Sequence, residues 1–157
     1  MEALIKYLNT IEGFQEVPGQ VSLLINISLC ENKCIGCHSP DLQTDAGQPL
    51  TEDALDFYLG RGPYTCVCLM GEGNDKEALI EVIQWINERG LKTAIYSGRD
   101  IDVADWCQEY GLVPDYLKVG SYKEELGPLN KKTTNQRMYH CSDSFEDITY
   151  KFWKGGK

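Results

Sequence analysis

"GQVSLLINISLCENKCIGCHSP", residues 19–40, joins two unlike halves. Residues 19–29 form a nearly continuous apolar run, rich in β-branched residues and closed off by Gly19 at one end and a cysteine cluster at the other. Such a run reads as a strand buried on both faces, as in a parallel sheet. Directly behind it, Cys30, Cys34 and Cys37 are spaced C-x3-C-x2-C, among the loop-forming residues Glu31, Asn32, Lys33 and Gly36. The fold class therefore depends on whether more strands of this kind alternate with helices farther along the chain.

They do. LTEDALDFYLGRG (50–62) predicts a helix with Thr51 as its cap, two acids in the first turn, and Leu55, Tyr58 and Leu59 on one side. YTCVCLM (64–70) is a second strand, short and apolar. NDKEALIEVIQWINERG (74–90) predicts the clearest helix, capped by Asn74 or Asp75, striped by Leu79, Val82, Ile83 and Ile86, and stopped by Gly90. LKTAIYS (91–97) is a third strand, DVADWCQEYG (102–111) a third helix, and PDYLKVGS (114–121) a fourth strand. Residues 122–136 are polar and punctuated by Gly and Pro, which predicts a long loop; RMYHCS (137–142) and DITYKFW (147–153) can each supply a further strand. Three rounds of strand and helix with short connections imply an α/β fold of parallel strands joined by right-handed crossovers. Ligands of such sheets sit at the C-terminal strand ends. The cysteine loop follows the first strand and GEGND (71–75) the second, so both belong to that edge.

With 157 residues the chain suits one domain, with a core over about 18–142 and a C-terminal strand or tail over 143–157. Its composition, 42% hydrophobic and 25% charged, is that of an ordinary globular protein. A net charge of −9 argues against a nucleic-acid partner, whose phosphates need a positive surface. The opening MEALIKYLNT is acidic and amphipathic, without the basic and apolar regions of a secretory signal, and no apolar run reaches membrane-spanning length. The expected compartment is the cytoplasm, with no membrane partner. Thiols stay reduced there, so seven cysteines point to metal or chemistry rather than to disulfides.

Three clustered thiolates suit zinc or an iron–sulfur cluster. A structural zinc needs a fourth ligand, and no second knuckle is present: Cys66 and Cys68 fall in a strand and read as packing, Cys107 falls in a helix, and Cys141 lies far along the chain. A four-iron cluster on three thiolates instead leaves one iron open to an outside ligand. Spacing alone leaves zinc and iron–sulfur both standing.

In these features the chain resembles the radical S-adenosylmethionine enzymes. GCHSP (36–40) is similar to the Cys-His-Asn-Pro-like run in activases of glycyl-radical enzymes, and Met70-Gly71-Glu72 stands where those proteins carry a Gly-Gly-Glu-like segment that meets the amino group of S-adenosylmethionine. IYSG (95–98), DYLKVGSY (115–122) and GPLNKKTTNQRMY (127–139) are similar to the activating proteins of anaerobic ribonucleotide reductases. The resemblance runs from about Pro18 to Tyr139. It departs from the family's pattern at Met70, which breaks the double glycine, at Gly36, which replaces an aromatic, and at Thr133-Thr134, which replace small residues.

The resemblance implies a partial (βα) barrel of mostly parallel strands. It also implies a [4Fe-4S] cluster on Cys30, Cys34 and Cys37, with S-adenosylmethionine on the open iron, cleaved reductively to a 5′-deoxyadenosyl radical. That radical would take a hydrogen from a glycine of a partner, a glycyl-radical anaerobic ribonucleotide reductase, with electrons from a flavodoxin- or ferredoxin-type donor. His38, Met70, Gly71, Glu72, Tyr96, Ser97 and Lys118 are the implied contacts of S-adenosylmethionine. Lys118 reads equally as a strand-edge lysine facing solvent, and His38 as a loop residue capping a carbonyl. Asn135, Gln136 and Arg137 read either as ligand or partner contacts or as ties between the last strand and the loop before it. Two other readings remain: a radical enzyme acting on a metabolite, as deazapurine synthases do, and a zinc-stabilised interaction module without activity.

Overall fold

The computed structural model describes residues 5–13, 17, 19–27, 48–72, 75–121, 125–127, 131, 134–141 and 145–152. The cysteine loop with Cys30, Cys34, Cys37 and His38 lies outside them, as does Asn74. The described elements are, in chain order, β1 (Lys6–Gly13), β2 (Ser22–Ile27), β3 (Gln48–Pro49), α1 (Glu52–Leu59), β4 (Cys66–Met70), α2 (Lys76–Glu88), β5 (Lys92–Tyr96), α3 (Val103–Tyr110), β6 (Tyr116–Val119), β7 (Arg137–His140), β8 (Glu146–Asp147) and a 3-10 helix (Thr149–Phe152).

The helices begin and end where local chemistry requires. The Thr51 hydroxyl accepts the Ala54 amide of α1 at 3.1 Å, and the Asp75 carboxylate accepts the Ala78 amide of α2 at 3.1 Å, so Asp75 caps α2. Asp102 caps α3 through the Ala104 amide at 2.9 Å. Gly111 closes α3 in the left-handed conformation, φ +69°, and its amide donates to the Cys107 carbonyl at 2.8 Å.

All eight strands join one sheet in the order β3-β1-β2-β4-β5-β6-β7-β8. The run β2-β4-β5-β6 is parallel. Its three crossovers step the same way across the sheet, and right-handed crossovers that never reverse put their helices on one face. Leu23, Ile25, Val67, Leu69, Ile95 and Leu117 accordingly pack with Leu55 of α1, Leu79, Val82, Ile83 and Ile86 of α2 and Trp106 of α3 in one core. The alternate residues Leu24, Cys66, Cys68, Ala94, Tyr116 and Met138 face the other way and pack with Val17, Ile148 and Phe152.

The expectation of mostly parallel strands is overturned, and the partial barrel is not confirmed. Four of the seven neighbouring strand pairs are antiparallel, and among the described residues no ladder joins the outer strands β3 and β8. The antiparallel flanks come from segments outside the helix-connected repeat. β1, which the sequence reading did not foresee, pairs with β2, and its register shifts between Tyr7 and Asn9, so its inward and outward residues do not alternate along the strand. On the other flank β7 forms as expected. DITYKFW yields only the end of β8 and then the 3-10 helix, because the amide and hydroxyl of Thr149 both turn back to the Asp147 carboxylate, at 2.9 and 2.5 Å. No helix among the described residues is long and apolar enough to cross a membrane.

Candidate functional site

Register decides what meets at the C-terminal edge of the parallel strands. Asn26 of β2 lies beside Met70 of β4, Met70 beside Tyr96 of β5, and Tyr96 beside Lys118 of β6. These four form one row across the sheet, and it projects from the face opposite α1, α2 and α3, because Met70 and Tyr96 border the cluster on that side. Three of the residues singled out from sequence, Met70, Tyr96 and Lys118, are thus neighbours in space.

Lys118 is not a solvent-facing edge lysine: it is 7% exposed. β7 pairs beyond β6, so β6 is an interior strand. The Lys118 ammonium donates to the carbonyls of Ser97 (3.2 Å) and Gly120 (3.1 Å) and lies 5.7 Å from the centre of the Tyr96 ring, a cation–π arrangement. Its alkyl stem fills apolar space while the charge reaches the strand ends.

Gly71 makes the turn out of β4 at φ +126°, a conformation open in practice only to glycine, and it is buried against Ile27, the last residue of β2. A Cβ on Gly71 would meet the Ile27 Cβ at 3.4 Å and its carbonyl oxygen at 3.5 Å. The Met70-Gly71-Glu72 turn therefore touches the strand end from which the chain runs on, three residues later, to Cys30.

Glu72 is bound on every side. Its Oε1 accepts Arg99 Nη2 (2.9 Å) and the Tyr110 hydroxyl (2.7 Å); its Oε2 accepts Arg99 Nε (3.2 Å) and the Ser97 hydroxyl in a short bond. Arg99 also spans to Glu109 with Nη1 (3.1 Å) and Nη2 (2.9 Å). Burial and the neighbouring Glu72 push the Tyr110 hydroxyl far above its ordinary range, so it remains a donor. Ser97, expected to approach a ligand, is buried and turned toward Glu72. Arg99 and Tyr110 were missed from sequence. A charged GRD after a strand looks like a turn, and Tyr110 arrives only because α3 returns over the edge.

Asn135 and Gln136 resolve toward the tying role. Gln136 Nε2 donates to the Gly120 carbonyl at 3.3 Å, and Asn135 Nδ2 donates to the Ser121 carbonyl at 3.1 Å. Arg137 pairs with Asp147 at 3.6 Å on the outer strands.

The described cysteines behave as hydrophobes. Cys66 and Cys68 are fully buried on the helix-free face, and the Cys68 thiol donates to the Met70 thioether at 3.6 Å. Burial pushes the thiols of Cys66 and Cys141 up to about 12 and raises that of Cys107. Cys66 opens β4, and the Cys141 amide bonds the Asp115 carbonyl ahead of β6, so both stand at the N-terminal strand ends, opposite the edge where the cysteine loop departs. Among the described residues no three His, Cys, Asp or Glu side chains gather as a metal site.

Comparison of the chain with protein-family models, with curated proteins and with solved structures finds no match in any of the three.

Proposed function

We propose that the chain is a radical S-adenosylmethionine activase that raises a glycyl radical on an anaerobic ribonucleotide reductase. The reading is carried by one coincidence. β2 ends three residues before Cys30 of the C-x3-C-x2-C motif, and Met70, Tyr96 and Lys118 form a cross-strand row at the same edge as that strand end, beginning on the neighbouring strand.

The donor set along the edge fits a zwitterionic ligand. Lys118 supplies a buried cation for a carboxylate, and Tyr96 supplies an aromatic face in the same row. The thioether of Met70 adds apolar surface where a larger polar group would compete for water. Cys30, Cys34 and Cys37 would hold the cluster. Bound there, a four-iron cluster would supply the single electron for reductive cleavage of the sulfonium, to methionine and a 5′-deoxyadenosyl radical. The chain's own residues bind, orient and exclude water. The reductase's glycine loop is the substrate that reaches the helix-free face, and a flavodoxin- or ferredoxin-type protein is the electron donor.

The test is anaerobic purification, reconstitution with iron and sulfide, and EPR of the reduced protein with and without S-adenosylmethionine. About four irons per chain and a signal altered by S-adenosylmethionine are expected, followed by a stable organic radical on the added reductase. One zinc per chain and no response to S-adenosylmethionine would overturn the proposal in favour of an interaction module.

A further inference from the structure

We propose that the Glu72 side chain is a strut rather than a ligand-binding group, and that Arg99 and Tyr110 of the α3 side are the positioning residues that hold it. The inference rests on the functional reading above and specifies how that site is shaped. A carboxylate has about four lone-pair positions, and Glu72 commits them to Arg99 twice, to Tyr110 and to Ser97. Its side chain is 12% exposed. An ammonium approaching from the ligand side would find these positions taken by the chain's own donors, and would have to be met by main-chain carbonyls of the Met70-Gly71 turn.

The strut has a second end. Arg99 forks between Glu72 and Glu109, and Tyr110 stacks on the fully buried Trp106 with centroids 4.2 Å apart and rings inclined by 26°. Lys76, at the start of α2, donates to the Glu109 carbonyl at 3.1 Å. The turn after β4 is thereby referenced to the end of α3 and the start of α2. Gly71, at φ +126°, has the backbone freedom to turn elsewhere once Glu72 is released.

Two variants isolate the role. Tyr110→Phe keeps the ring on Trp106 and deletes one donor; Arg99→Lys keeps the charge and loses the fork. Arg89→Lys is the control. From the end of α2, Arg89 forks in the same manner between Glu52 and Asp56 of α1, away from the strand ends. For each reconstituted protein, amide hydrogen exchange of the peptide spanning Leu69 to Glu72 is measured together with S-adenosylmethionine binding by equilibrium dialysis. Both strut variants should exchange faster in that peptide and bind S-adenosylmethionine about five- to tenfold more weakly, as loss of a bond to a charged group allows. Arg89→Lys should change neither. Faster exchange with unchanged affinity, or unchanged exchange, would overturn the positioning role. A wild-type protein that holds its cluster and binds no S-adenosylmethionine would overturn the functional reading, and this inference with it. That failure is recognisable because it lies in the wild type rather than in the variants.

Discussion

Replacing Gly120 by Ala probes the joint on which the Lys118 end of the row depends. Gly120 follows β6 at φ +111°, and a Cβ there would stand 3.0 Å from the Gln136 Cα and 3.3 Å from the Asn135 carbonyl oxygen. Both neighbours are backbone, so neither can swing aside as a side chain would. The forced conformation costs about 1–3 kcal/mol, and inserting a methyl where none fits costs about 1–3 kcal/mol more. Together these are ~2–6 kcal/mol out of a typical total of ~5–15 kcal/mol. For a chain of this size each kcal/mol lowers Tm by about 2–4 °C, so a fall of roughly 5–20 °C is expected in a thermal melt followed by circular dichroism. Gly111 supplies the comparison. It too has a positive φ, +69°, but nothing lies within 4 Å of its would-be Cβ. Gly111→Ala should therefore cost only the ~1–2 kcal/mol of the left-handed backbone. The Gly120 carbonyl also receives Lys118 and Gln136, so Gly120→Ala should weaken S-adenosylmethionine binding while Gly111→Ala leaves it alone. Equal Tm losses at the two glycines would refute the reasoning.

The same geometry makes three further outcomes testable. Lys118→Met should retain iron but bind S-adenosylmethionine at least about tenfold more weakly, measured by dialysis; its stability should fall by only about 1–3 kcal/mol, since the Gly120 carbonyl keeps Gln136 as a donor and the Ser97 carbonyl loses Lys118. Cys66→Ala and Cys68→Ala should keep the full iron content, whereas Cys30→Ala, Cys34→Ala or Cys37→Ala should lose it; alkylation of the native protein at pH 8 with peptide mapping should spare Cys66, Cys68, Cys107 and Cys141 until it unfolds. On the acid side, the Arg99 guanidinium holds the Glu109 carboxyl below its usual value of 4.5, so its stabilisation is present above that pH and is lost as pH falls through the lowered folded value. Glu109→Gln should flatten that part of the stability profile in urea titrations at pH 3 to 6, and an unchanged slope would count against the ion pair.

Much of the helix-connected centre was legible in the residues. Thr51, Gly90 and Gly111 mark helix ends through local chemistry that needs no knowledge of the rest of the chain, and the consecutive apolar residues Leu23, Leu24 and Ile25, all buried, mark a strand covered on both faces. The flanks were not legible for equally definite reasons. β1 hides because its register slips between Tyr7 and Asn9 and leaves Ile11 54% exposed, so no period-two pattern survives. The end of the chain reads as a strand by composition, but Thr149 and Asp147 form a turn whose hydroxyl also accepts the Met138 amide at 2.9 Å, which depends on where β7 lies. At the site, the identity of the edge residues was readable and their orientation was not. Glu72 looks like a free carboxylate until Arg99 from the turn after β5 and Tyr110 from α3 arrive, and Lys118 looks like a surface cation until β7 pairs beyond β6.

The direction of winding explains why a site would form where it does. Because β2, β4, β5 and β6 are laid down in one direction, α1, α2 and α3 pack on one face and leave the other to different segments. Among the described residues, Val17, Ile148 and Phe152 pack there over Leu24, Cys66, Cys68, Ala94 and Tyr116. The next row toward the strand ends changes character, to an amide, a thioether, a phenol and an ammonium at Asn26, Met70, Tyr96 and Lys118. A buried charge at these strand ends costs desolvation, and Lys118 offsets it by drawing on two main-chain carbonyls. Packing alone would favour Leu or Val at these positions, as it does one residue earlier at Ile25, Leu69, Ile95 and Leu117. The row is a departure from what the core would choose, and it sits at the edge from which the chain continues to the three loop cysteines.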